Sequence, residues 1–139
     1  MWLFNLCNNI VRFQDKILKR RRFMPSKKAS SKGERAVVAA LEKHGIRYEM
    51  QYALGYYIHV DFAVYYNGKL HLIEYDGRQH YHPVKYFGGR WRFFLQRIRD
   101  GLENIECRDR HVPLLRIRYD VPHEQIEDIV LQFLEKETV

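Results

Sequence analysis

The amino-acid sequence predicts an α/β domain, a mixed four-stranded sheet flanked by helices, with an extra basic helix in front of it. Three observations carry that prediction. Apolar residues alternate or run together in four short stretches (46–52, 58–66, 69–76 and 113–119) and recur at helical spacing in four others. Asn67-Gly68 lies between two of the strand-like runs, where Asn-Gly is the strongest short-range signal of a two-residue hairpin. The order is helix, helix, three strands, helix, strand, helix, which suits a sheet covered by helices.

Taken along the chain, residues 2–22 place Leu3, Leu6, Ile10, Phe13, Ile17 and Leu18 at helical intervals, and residues 24–32, rich in Ser and Lys, read as a linker. Ser31-Lys-Gly-Glu34 opens the next helix in the pattern of a capping box. Ala36, Val37, Ala40 and Leu41 form its apolar stripe, and Gly45 ends it. After the three strands, residues 77–86 form an irregular loop. Phe87, Trp91, Phe94, Leu95, Ile98, Leu102 and Ile105 then mark a long amphipathic helix. Its stripe, Trp91 included, is expected in the core, and Asp100, beside Gln96 and Glu103 on the opposite side, on a solvated face. A last helix covers 122–137. Residues 1–30 are an arm and linker, and 31–139 are the domain.

The 139 residues suit one compact domain with a modest core. Cys7 and Cys107 are far apart and lack the spacing of a zinc site or a disulfide framework. No apolar run approaches the roughly 18 residues that a membrane span needs. The basic residues near the start follow the apolar ones, the reverse of a secretory signal. The expectation is an intracellular protein, cytoplasmic or nuclear, with no stable membrane association. Net charge is +7, yet residues 1–32 hold nine Lys or Arg against Asp15, or +8, and the remainder sums to −1. Arg20, Arg21, Arg22, Lys27 and Lys28 make an arm that would gain affinity by releasing counterions from nucleic-acid phosphates. A solvated helix end, an import signal or a lipid patch would use the same residues.

The chemistry concentrates on the hairpin. With Asn67 and Gly68 as turn residues, cross-strand partners sum to 135, so Asp61 stands opposite Glu74. Partners so placed have Cβ atoms about 4.5–5.5 Å apart. Asp76 shares the face of Glu74. Like charges opposite one another destabilise a sheet. Leu70 and Leu72 share that face, so the acids are partly buried and call for a counter-charge. Two carboxylates plus waters suit Mg²⁺. Gly77 lets the chain turn, so His80 can return toward the acids as a general acid or base. Glu34 fits capping and catalysis equally.

Ser31-Lys-Gly-Glu34, His59-Val-Asp61-Phe, the run from Ile73 to Tyr81, Arg99-Asp100 and the run from Pro113 to Tyr119 recur in this order in a known family. Over roughly residues 31–119 the chain resembles the small virus- and phage-encoded nucleases of the PD-(D/E)XK superfamily. The nearest characterised relatives of these are the very-short-patch mismatch-repair and EDxHD homing endonucleases. The resemblance implies a restriction-endonuclease-like core and a Mg²⁺-dependent endonuclease acting on DNA, with Mn²⁺ able to substitute. It implies that Asp61 and Glu74 hold the metal, with the Tyr75 carbonyl as a further ligand. Glu34 would be the acid of the first core helix, and Asp76 stands where the classical lysine would be. His80 would share that lysine's work, and Asp100 would be the last acid of the pattern. Relatives often carry Lys where this chain has Glu103, a departure that bears on activity. Arg78, Lys85, Arg90 and Arg92 would join the arm in holding phosphates, and Tyr81, Tyr86, Phe87 and Trp91 could stack on bases. Cutting both strands would call for a homodimer. The rival expectations are an inactive nucleic-acid-binding module of a replication, repair or recombination complex, and a membrane-peripheral protein anchored by Trp2, Leu3 and Phe4.

Overall fold

A computed structural model describes residues 31–55, 58–85 and 88–137. The expected first helix and the cationic residues Arg20, Arg21, Arg22, Lys27 and Lys28 lie outside the described residues. Helix α1 (Lys32–Lys43) begins at Ser31, whose hydroxyl accepts the Glu34 amide at 3.0 Å. It closes with the paired bonds of a Schellman motif, Ile46 N–H to the Leu41 carbonyl and Gly45 N–H to that of Glu42, with Gly45 at φ 62°.

Strands β1 (Arg47–Ala53), β2 (His59–Tyr66) and β3 (Lys69–Asp76) form an antiparallel meander, and β4 (Leu114–Arg118) joins β3 in parallel, in the order β1-β2-β3-β4. The hairpin register is the expected one, from Tyr66 opposite Lys69 to Phe62 opposite Ile73. Asn67 and Gly68 both take positive φ, 48° and 76°, which matches the right-handed twist of the strands they join. A 3₁₀ turn (Arg78–His80) follows β3. Helix α2 (Gly89–Asp109) makes the crossover to β4, and α3 (His123–Lys136) ends the described chain.

The sheet has a core on each side. Val37 and Leu41 of α1 and Ile126, Val130 and Leu134 of α3 pack on Phe62, Val64, Ile73 and Ile117. The other face carries Ala63, Leu72, Val60 and Leu54 beneath Cys107 of α2. Cys107 is a buried free thiol, raised by burial to about 11, in keeping with a packing role. Gly33 is fixed by packing. A Cβ there would run into the Tyr75 ring, so α1 lies directly on the residue between the two hairpin acids.

Helix α2 overturns one expectation. Trp91, Phe94, Leu95, Ile98, Leu102 and Ile105 are 43–68% exposed, while Glu103 is 2% exposed. The polar side of the helix, not the apolar stripe, faces the sheet. The reason is electrostatic: the opposing sheet face carries Glu74, Asp76 and Arg116, which need polar partners rather than hydrocarbon.

Candidate active site

Six of the residues singled out from sequence, Glu34, Asp61, Glu74, Asp76, His80 and Asp100, gather where β2 and β3 part. The ladder between these strands stops at Phe62 opposite Ile73. Beyond it, side chains take over the backbone's hydrogen bonds. The Asp61 amide donates to Glu74 Oε2 at 2.8 Å, and the Tyr75 amide donates to Asp61 Oδ2 at 2.9 Å. The two acids therefore interleave between strands, each held by the other's segment.

Gln51 completes this inner pair. It takes φ 54° inside β1, uncommon for a residue with a side chain, and its side-chain Nε2 donates to Asp61 Oδ1 at 3.1 Å. Opposite it on β2, Val60 and Ala63 both reach the same core cluster, so strict alternation breaks at Asp61. Nothing in a single sequence marks Gln51, because its role comes from a backbone departure.

Among the described residues, neither of the inner acids, Asp61 and Glu74, has an ion pair within 4.0 Å, and the Arg116 charge only partly offsets the effects that raise Glu74. Burial, then the neighbouring Asp61 and Glu103 charges, push Glu74 up to about 9. Burial also raises Asp61, helped by the Glu34 and Asp76 charges and opposed by the Tyr75 amide. Glu34 thus acts on the site through its charge, and the Ser31 cap accounts for its backbone.

The outer acids share one internal counter-charge. Arg116 of β4 donates from Nη1 to Asp76 Oδ1 at 2.8 Å and from Nη2 to Glu103 Oε2 at 2.9 Å, and Nη1 lies 3.6 Å from Asp100 Oδ1. Glu103 Oε1 is buried without a hydrogen-bond partner, and burial raises that carboxyl against the pull of Arg116. His80 Nδ1 lies 3.1 Å from Asp100 Oδ2 and 3.4 Å from Asp76 Oδ1. Two carboxylates facing one ring nitrogen place a hydrogen on Nδ1, which leaves Nε2 to exchange protons. Gln96 donates to Asp100 Oδ1 at 2.8 Å. Burial works to raise Asp100, but the hydrogen bonds from His80 and Gln96 and the Arg116 charge outweigh it and hold it below its usual range.

Asp100 is therefore a half-buried partner of His80, and the solvated face expected for it, Gln96 and Glu103 is corrected. Arg116, Gln96 and Glu103 are site residues that motif reading left without roles. For Gln96 and Glu103 the signal was the periodicity of the polar side of α2, which lines up 96, 100, 103 and 107; Arg116, on β4, had none there. Tyr81 is committed elsewhere. Its hydroxyl donates to Asp76 Oδ2 at 2.8 Å and its ring lies 4.4 Å from the Arg118 guanidinium, so it is not free to stack on a base. Arg78, Lys85, Arg90 and Arg92 are exposed around the His80 end, and Arg92 lines a cleft of about 180 Å³ with Gln79, His82, Val84, Phe93 and Gln96.

Among the described residues, no three His, Cys, Asp or Glu side chains are disposed to hold a metal ion, and no helix is long and apolar enough to cross a membrane. The donor set at the strand split is a pair of carboxylates, each raised by burial and by neighbouring negative charge. That pair fits a hard divalent cation completing its shell with water. No protein-family model, no curated protein and no solved structure matches the chain.

Proposed function

We propose that this protein is a metal-dependent endonuclease that hydrolyses phosphodiester bonds in DNA on a restriction-endonuclease-like core. The observation that carries the reading is the interleaved pair of half-buried Asp61 and buried Glu74, which have no ion pair among the described residues. Mg²⁺ held by this pair, with the Tyr75 carbonyl as a further ligand, would supply Lewis-acid polarisation of the scissile phosphate. Gln51 and the Tyr75 amide orient Asp61, and the Asp61 amide orients Glu74. His80 Nε2 accepts a proton from the attacking water, and Asp100 and Asp76 stabilise the imidazolium that results. Arg116 holds both of those acids in place. Arg78, Lys85, Arg90 and Arg92 bind phosphates on either side and position the strand without reading its sequence.

The test is cleavage of supercoiled plasmid with Mg²⁺, with Mn²⁺ and with chelator. Wild type nicks or linearises the plasmid only with metal, and Asp61→Asn and Glu74→Gln lose that activity while retaining DNA binding. Cutting in chelator, or cutting by both variants, would refute the reading. The internal clamp on Asp76 and Asp100 favours one second reading, a DNA-binding module without catalysis. Binding without metal-dependent cutting would establish it.

A further inference from the structure

The exposed stripe of α2 is the largest feature that the proposed chemistry leaves unused. From Trp91 to Ile105 it runs about 21 Å along the helix, and it holds six large apolar side chains that the sheet does not cover. Trp91 and Phe94 stack on each other at 5.9 Å. Isolated apolar residues on a surface are ordinary, whereas a contiguous stripe of this kind marks a docking surface. We propose that a second copy of this chain docks here, with the two α2 helices antiparallel about a two-fold axis near Ile98.

Three features select this occupant and orientation. Trp91, Ile98 and Ile105 recur at intervals of seven, as do Leu95 and Leu102, the spacing of a helix–helix seam. A two-fold at Ile98 sets Trp91 against the mate's Ile105, Phe94 against its Leu102 and Leu95 against its Gly101, an isologous seam in which only the last pair is large on small. A Cβ at Gly101 would meet nothing within 4 Å, so there is room for the incoming side chain.

Charge decides the rest. The N-terminal half of α2 carries Arg90, Arg92, Arg97 and Arg99 around the stripe, and the C-terminal end carries Glu106 and Asp109 among Arg108 and Arg110. Antiparallel docking brings Arg92 of each helix to the end that holds the mate's Glu106, and leaves only Arg97 and Arg99, which flank the axis, beside their own copies. Parallel docking would set all four arginines against their own copies. Residues 19–32, with a charge of +7, would be repelled by the same arginines.

Sedimentation equilibrium of the full chain over a range of concentrations tests this directly. The expected result is a reversible rise from 16.9 kDa to twice that mass. Ile98→Glu and Leu102→Glu, which leave the sheet-facing side of α2 untouched, should each weaken association by about 100-fold or more, with an unchanged circular-dichroism spectrum. Arg92→Glu and Glu106→Arg should each weaken it by roughly tenfold, and the double reversal should recover most of the loss. A monomer at every concentration would overturn the proposal, as would a dimer indifferent to Ile98→Glu and Leu102→Glu. Co-sedimentation with anionic vesicles in place of self-association would also overturn it, by assigning the stripe to a membrane surface.

Discussion

At the scale of single residues, the site is organised by how each carboxylate finds, or fails to find, a partner. Asp76 and Glu103 are nearly fully buried and share one guanidinium. Removing one member of a buried ionic group leaves the others uncompensated, at a cost of about 3–5 kcal/mol. Arg116→Met should therefore lower stability by about 3 kcal/mol in urea unfolding. Adding Glu103→Leu to it should recover part of that, because the unpartnered Oε1 leaves with the charge. If Arg116→Met has no effect, the clamp is not formed in solution. Gly33 is a second checkpoint. A methyl there meets the Tyr75 ring, so Gly33→Ala should cost about 1–3 kcal/mol by overpacking. It should also weaken activity by shifting the amide that holds Asp61, and a variant as stable and active as wild type would contradict that packing.

At the scale of elements, the hairpin and α2 show opposite behaviour under sequence reading. The hairpin was legible almost to the residue, because Asn67-Gly68 fixes the register by turn geometry and β3 begins and ends where its pattern does. What the pattern could not show is that the ladder opens before Asp61, since that depends on side chains displacing backbone bonds. The boundaries of α2 were close, but its orientation was reversed. An amphipathic helix ordinarily turns its apolar stripe inward, and here the acids and Arg116 on the sheet claim the polar side instead. Gln96→Leu tests that orientation. On a solvated face it would be silent, whereas at the observed site it removes a donor to Asp100 and puts hydrocarbon beside His80. The expected outcome is a clear loss of metal-dependent cutting with little change in DNA affinity.

At the scale of the whole molecule, the two buried titratable groups on opposite faces of the sheet give stability a maximum in pH. His71 is buried between Tyr66 and Phe133 with Nε2 unpartnered, and burial lowers its pKa from 6.5. The unfolded chain then takes up that proton first, so stability falls as pH drops below neutrality. Glu74 works in the other direction. With a folded pKa raised from 4.5 to about 9, it holds a proton that the unfolded chain has lost, so stability in chelator falls as pH rises through that interval. Melting temperature against pH should show both limbs. His71→Phe should flatten the acid limb and Glu74→Gln the alkaline one; an alkaline limb unchanged in Glu74→Gln would show that its carboxyl is not the group responsible. Neither limb was legible in the sequence, because both depend on which side chains the two cores enclose, whereas the acids themselves stood out by motif. The central claim, that Asp61 and Glu74 together hold a divalent cation, is tested most directly by calorimetric titration of Mg²⁺ into the full chain above neutral pH, in buffers of different ionisation heat. The account predicts one site whose filling releases a proton from Glu74, and loss of that site in Glu74→Gln and Asp61→Asn. Absence of Mg²⁺ binding to wild type, or equal binding by both variants, would contradict it.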